Sequence, residues 1–282
     1  MSEKPFRWRT VLEVAVISFV IYIVLGAPGL KSSVQSEPSN EQDVPIARAR
    51  AESLVYPDYK DLQCAKHGVE MHVFSAEPLV IYIDGFLSGE EIQHLIDISE
   101  GKWQKSTVFN AGVETTDEAV RKSEKALIPR DEVVQCIEQR ALSIQGWPRD
   151  TFIERLWTQR YKVSGHYSFH YDWSTATKEA MRVSTFMVYL KADCEGGGTN
   201  FPRLQMPNDP KWCEYLECEH ESTPDGVTFR AMPGNAVFWM NFDAERRGYK
   251  EVIHAGMPVT KGEKIGLNVW SWYQKGHQMA PS

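Results

Sequence analysis

Beyond Phe152 the chain breaks into short apolar or aromatic runs separated by clusters of Gly, Pro, Asp and Asn. The runs are Leu156 to Val163, Val183 to Leu190, Val227 to Ala231, Ala236 to Met240 and Ile265 to Trp272. Stretches this short, bounded by turn formers, suit β-strands rather than helices. Their spacing predicts antiparallel β structure of the sandwich or jelly-roll kind, whose open mouth can seat a ligand.

The residues ahead of this region carry different signals. Leu79 to Ile83 is an apolar, β-branched run that reads as a buried strand. Ser88 with Glu91 three residues on forms a capping box and opens a helix with Ile92, Leu95 and Ile96 on one face. A second helix starts near Asp131, carries Val133, Val134, Ile137, Ala141 and Ile144 as its apolar stripe, and stops at Gly146 and Pro148. The expected fold is therefore mainly β with supporting helices, an α+β arrangement. The helical support covers 56–150 and the β core 151–275 of a single domain, 56–282.

The N-terminus predicts location. Lys4, Arg7 and Arg9 precede an apolar run from Val11 to Leu25, broken by Glu13 and Ser18. With its flanks the stretch 11–30 is long enough to span a bilayer as a helix. The basic residues place the tail 1–10 in the cytoplasm and the remainder on the lumenal side of the endoplasmic reticulum membrane. A cleaved signal peptide is the alternative, with small residues at Gly26 and Ala27 but Pro28 beside them. Residues 31–55 are polar and aperiodic and read as a stalk.

Thirty-one basic against 38 acidic residues leave a net charge of −7, which argues against a nucleic-acid partner. The five Cys contain no C-x-x-C pair, so a zinc ribbon or thioredoxin-like site is not expected. Cys213 and Cys218 lie close together in a loop-like stretch. They form a local disulfide in an oxidising compartment, or else remain two free loop thiols.

His170-Tyr171-Asp172 is an H-x-D pair, and on an extended segment residues i and i+2 face the same way. Taken alone such a pair is more often a surface feature than a site. A second His, such as His254, completes a two-His, one-carboxylate triad, the donor set of non-haem Fe(II) oxygenases. Ten residues past His254, Lys264 opens the last apolar run, so an inward-pointing cation is expected there.

These residues sit within stretches that resemble the prolyl 4-hydroxylase family. They are Arg160-Tyr161 through His170-Tyr171-Asp172, Arg182-Val183-Ser184-Thr185-Phe186-Met187-Val188-Tyr189-Leu190, and Glu195-Gly196-Gly197-Gly198-Thr199-Asn200-Phe201-Pro202. The series continues with Met232-Pro233-Gly234-Asn235-Ala236-Val237-Phe238-Trp239 and His254-Ala255-Gly256-Met257-Pro258-Val259 through Lys264 and Trp270. The resemblance runs from about Leu79 to Trp272 and implies a distorted double-stranded β-helix. It also implies Fe(II), 2-oxoglutarate and O2 as cofactor and cosubstrates, with ascorbate as reductant.

Carried over by position, His170, Asp172 and His254 resemble the iron ligands, and no catalytic residue beyond them is implied. Lys264 resembles the anchor of the far 2-oxoglutarate carboxylate, with Tyr161 and Thr199 as its hydroxyl partners. Tyr167, Arg182 and Trp270 resemble residues on the substrate side. Read without the family, Tyr161, Tyr167 and Trp270 are equally core or rim aromatics, Arg182 a structural ion pair, and Thr199 a turn residue. Gly196 to Gly198 is read as a β-turn, since no helix with Lys-Ser/Thr follows to make a phosphate loop. The loop Arg203 to Gly226, with Trp212 and His220, resembles short plant and fungal members and points away from collagen itself as substrate. The implied activity is hydroxylation of prolyl residues in peptides. The alternatives are the same chemistry on another side chain or a small metabolite, or a non-catalytic binding module.

Overall fold

The computed structural model describes residues 62–276, apart from 111–112, 174–178 and 219–224. The expected tail, membrane helix and stalk at 1–55, together with His220, lie outside the described residues. Among the described residues no helix is long and apolar enough to cross a membrane.

The described chain opens with β1 (Glu70–Ala76) and β2 (Leu79–Asp84). Next comes α1 (Gly89–Ser99), where Ser88 Oγ accepts the Glu91 N–H and the Glu91 carboxylate accepts the Ser88 N–H, the reciprocal cap expected from the sequence. Five short strands follow: β3 (Gln104–Lys105), β4 (Val108–Asn110), β5 (Val113–Thr115), β6 (Arg121–Lys122) and β7 (Glu124–Leu127). Helix α2 (Glu132–Ile144) starts at Asp131, whose carboxylate accepts the Val134 N–H. It ends before Gly146, which adopts the positive φ of 73° that a helix exit favours in glycine.

The remaining strands are β8 (Thr151–Ile153), β9 (Trp157–Tyr161), β10 (His166–His170), β11 (Ala180–Gly196) and β12 (Thr199–Phe201). After a 3-10 turn at Pro210–Glu214 come β13 (Val227–Phe229), β14 (Ala236–Met240), β15 (His254–Gly256) and β16 (Val259–Gln274). They form a large sheet in the order β1-β2-β14-β11-β16-β9-β7-β3, with β8 also on β16. A smaller sheet has the order β13-β12-β15-β10-β6.

Period-two alternation divides the large sheet's side chains between two cores. Ile83, Phe186, Val188, Phe238, Ile265 and Leu267 face one way and pack against Leu95, Val134 and Ile137 of the helices. Tyr82, Tyr189 and Trp239 face the other way and meet Phe201 and Phe229 of the small sheet. Helices cover one face of the large sheet and the small sheet covers the other. This is the mainly β, jelly-roll-like layout expected from the sequence.

The expected division at 151 does not hold. Strands β1 and β2 belong to the large sheet, with β2 paired to both β1 and β14. Leu79–Ile83 is apolar on both faces because it runs between two strands and under two cores, whereas the edge strand β1 leaves Met71 and Val73 exposed. Strands β3, β6, β8, β12 and β15 are two or three residues long, too short to display a period of their own.

Candidate active site

The two imidazoles are carried by neighbouring strands of the small sheet. His170 is the last residue of β10, His254 the first of β15, and they stand opposite each other in the pairing. Asp172 follows where the strand has already given way to a turn, so the i, i+2 geometry of a continuous strand does not apply; the turn brings the carboxylate back. One donor atom from each of His170, Asp172 and His254 lies within 4.8 Å of the others. His170 Nε2 is 3.7 Å from Asp172 Oδ1, and His254 Nε2 is 3.9 Å from Asp172 Oδ2.

Each imidazole is oriented from behind. His170 Nδ1 is 2.8 Å from the Ser168 carbonyl and His254 Nδ1 is 3.0 Å from the Val252 carbonyl. A carbonyl only accepts, so each Nδ1 carries the proton and each Nε2 keeps its lone pair toward the shared point. Burial, reinforced by the neighbouring His254, brings His170 down to about 3, so it is neutral, as a metal ligand must be. Burial alone would raise the Asp172 carboxyl. The imidazoles when protonated, the Arg182 guanidinium and the Thr185 hydroxyl outweigh it and hold the group below the ordinary carboxylate range, ionised; with the rings neutral, Arg182 and Thr185 remain to do so. Thr185 Oγ1 donates to Asp172 Oδ2 at 2.8 Å and Trp270 Nε1 at 3.1 Å, which fixes the carboxylate plane and leaves Oδ1 toward His170. Two neutral nitrogens, one anionic oxygen and backbone-locked tautomers fit a divalent non-haem iron.

A cavity lined by His170 and His254 runs between Tyr161, Tyr167, Met187, Thr199 and Trp239 to Lys264. Alternation along β16 builds this wall. Ile265, Leu267 and Val269 enter the helix-side core, so Lys264, Asn268 and Trp270 turn inward. Lys264 is 2% exposed. Its ammonium donates to the Gly197 carbonyl at 2.6 Å and lies 5.3 Å from the ring centres of both Tyr161 and Tyr189. Among the described residues no carboxylate pairs with it, and burial brings it down to about 8. The glycines carry the chain from β11 of the large sheet to β12 of the small one, with Gly197 at φ 74°, where a Cβ would press to 3.3 Å on Lys264 Cδ. A buried cation aimed into a cavity without its own anion fits the far carboxylate of 2-oxoglutarate. Thr199 Oγ1 accepts the Tyr189 O–H at 2.8 Å, which leaves the Thr199 proton available to a cavity ligand.

The triad's other flank holds Tyr167, Arg182 and Trp270. Tyr167 stacks on His170 at 3.6 Å between ring centres, and Arg182 lies 3.8 Å over the Trp270 ring. Arg182 is a structural ion pair as well, since Nε and Nη2 meet the Glu154 carboxylate at 2.7 and 2.8 Å. Trp270 is not among the residues that line the cavity; its N–H holds Asp172. Glu154, Thr185 and Tyr189 were not singled out from the sequence. A lone carboxylate beside apolar Phe152 and Ile153 was the available signal for Glu154. Thr185 and Tyr189 occupy the inward positions of a strand already recognised.

Cys213 and Cys218 are disulfide-bonded with Cα atoms 5.5 Å apart, and a second bridge joins Cys64 to Cys136 across 72 residues. Cys194 is free.

The sequence profile of the 2OG-Fe(II) oxygenase superfamily matches residues 156–272, a span that contains all three donors and Lys264. Prolyl 4-hydroxylase 5 of Arabidopsis thaliana is 31% identical over 209 residues, 71% of this chain and 70% of the relative. Probable prolyl 4-hydroxylase 10 of the same plant is 26% identical over 283 residues, covering 95% and 93%. Among solved structures, the viral collagen prolyl hydroxylase of Paramecium Bursaria Chlorella virus-1, in its 2OG complex, superposes with a TM-score of 0.51. It is 29% identical and matches over 69% of this chain and 96% of its own. With the site's donor set and these relatives together, the chain is a member of the prolyl 4-hydroxylase family of Fe(II)- and 2-oxoglutarate-dependent dioxygenases.

Proposed function

We propose that this chain hydroxylates prolyl residues of peptides or proteins, with iron on His170, Asp172 and His254 and 2-oxoglutarate on Lys264. The carrying observation is that a buried cation with no carboxylate partner among the described residues lines one cavity with the two imidazoles of the triad. When bound, iron and 2-oxoglutarate supply the oxygen activation that inserts one oxygen atom into a C–H bond and yields succinate and CO2.

The chain's own residues bind and orient. Lys264 offers its remaining N–H donors to the far carboxylate, and Thr199, released by Tyr189, donates to the same ligand. Tyr161, opposite Lys264 in the β9–β16 pairing, closes that end against water. Asp172 is kept ionised and immobile by Thr185 and Trp270. The stacked Arg182–Trp270 pair, pinned by Glu154, forms with Tyr167 a flat surface beside the metal position, the shape a pyrrolidine ring packs on. Kinship to hydroxylases named for proline and collagen supports a peptide substrate. Ascorbate is proposed as reductant, tested by whether it prolongs turnover.

The location is a further part of the proposal. The helix at 11–30 anchors the enzyme in the endoplasmic reticulum membrane with its catalytic domain lumenal. In intact microsomes the domain then resists added protease, and alkaline carbonate leaves it in the membrane. Extraction as a soluble protein or protease sensitivity without detergent contradicts this.

The activity test uses the full chain with Fe(II), 2-oxoglutarate and proline-rich peptides, read by mass spectrometry for a gain of one oxygen on proline. His170→Ala, Asp172→Ala and His254→Ala abolish turnover in folded protein, and Asp172→Glu fails too because its longer arm misplaces the oxygen. Near-normal turnover in any one of them refutes the ligand assignment. Oxygen gained only on another side chain or on a small metabolite overturns the prolyl reading while leaving the chemistry intact.

A further inference from the structure

A second cavity, of about 210 Å3, opens beside the site between β3, β6, β7 and β9. Its lining carries five cations, Lys105, Arg121, Lys122, Arg160 and Lys162, against two carboxylates, Glu118 and Glu124. That is the reverse of the chain as a whole, whose net charge is −7. Both carboxylates are already engaged. Glu118 meets Lys105 at 3.0 Å, and Glu124 meets Arg160 at 2.9 Å and Lys162 at 3.1 Å. Arg121 and Lys122 hydrogen-bond only to neutral groups among the described residues, although Lys122 lies within electrostatic reach of Glu118. Arg121 donates to Ser123 and Thr107, and Lys122 to Ser164.

The cavity adjoins the active-site flank through Arg121. The Arg121 guanidinium lies 4.5 Å over the ring of Tyr167, which itself stacks on His170. Strand β6 pairs with β10 so that Arg121 stands opposite Tyr167 and Lys122 opposite His166. An extended peptide advances about 3.3 Å per residue. A chain whose reacting residue sits at the triad therefore presents residues a few positions away to Arg121 and Lys122.

From this we infer that the groove around Arg121 and Lys122 is a specificity site for acidic side chains, Asp or Glu, flanking the reacting residue of the peptide substrate. The inference rests on the proposed peptide substrate and names its class. Cations that outnumber the carboxylates among them attract a complementary anion, and an exposed groove does so in a salt-sensitive way.

The test is fluorescence anisotropy on the full chain with iron and 2-oxoglutarate, using labelled peptides with acidic or neutral flanks, each made with and without a central proline. Acidic flanks tighten binding roughly fivefold or more at low salt, the order of one or two exposed ion pairs, and the difference vanishes at high salt. The Lys122→Glu/Lys162→Glu variant loses that preference while binding neutral peptides and 2-oxoglutarate as before. Because the acidic preference is read by binding in both the proline and proline-free pairs, it is scored separately from whether proline is the residue hydroxylated. Equal affinity for acidic and neutral peptides overturns the inference, and so does an acidic preference that survives in the charge-reversed variant.

Discussion

Removing the Lys264 ammonium separates the cosubstrate site from the metal site. Burial brings this side chain from its ordinary 10.5 to about 8, so holding it charged inside the protein costs on the order of 3 kcal/mol. Among the described residues one neutral carbonyl and the faces of Tyr161 and Tyr189 are what compensates. A ligand carboxylate that pairs with the cation offsets this cost, and Lys264→Ala discards that contribution and leaves the carboxylate without a charged partner. The expected result is a rise of more than about tenfold in the 2-oxoglutarate concentration needed for half-maximal turnover, since about 1.4 kcal/mol is already tenfold. Lys264→Arg keeps the charge on a bulkier fork and retains partial activity. Iron binding, followed by the absorption of the bound metal under nitrogen, stays near the wild-type level in both variants. The pH dependence has a definite sign. A lysine lowered to about 8 is cationic below that pH and neutral above it, so 2-oxoglutarate binding is full below pH 8. Above it the apparent KM rises by about tenfold per pH unit until the pKa of the complex is reached. Lys264→Ala shows no such rise. A 2-oxoglutarate requirement unchanged in Lys264→Ala, or a wild-type KM that stays flat from pH 7 to 9, refutes the reasoning.

Glu154→Gln leaves the Arg182 guanidinium buried without its carboxylate. Breaking a buried pair costs about 3 kcal/mol or more, so thermal unfolding shifts down by several degrees, and the coupled loosening of Trp270 and Asp172 lowers kcat; an unchanged Tm places the pair in effective contact with solvent. The Cys64–Cys136 bridge closes a long loop, and the chain-entropy relation assigns such a loop about 4 kcal/mol. Cys64→Ser with Cys136→Ser lowers the denaturant midpoint accordingly, whereas Cys213→Ser with Cys218→Ser, five residues apart, has a smaller effect; equal effects contradict the loop argument.

Much of this protein was legible locally. The caps at Ser88 and Asp131, the apolar stripes of both helices and the apolar runs of β2, β9, β11, β14 and β16 are short-range patterns that any stretch of chain displays on its own. His170, Asp172, His254 and Lys264 stood out because their order and spacing resemble a family with this chemistry. What the sequence does not encode locally is which distant groups meet. The pinning of Arg182 by Glu154 joins residues 28 apart, and the hold of Trp270 on Asp172 joins residues 98 apart. The same is true of the Cys64–Cys136 bridge and of β2 entering the large sheet through β14. Apart from the bridge, which ties a loop to α2, those contacts depend on the register of paired strands, in which a slip of one residue turns every side chain to the opposite face. Only the assembled sheets determine that Lys264 points at a cavity rather than at solvent, that Asp172 reaches the imidazoles from a turn, and that Arg121 and Lys122 line a groove beside Tyr167.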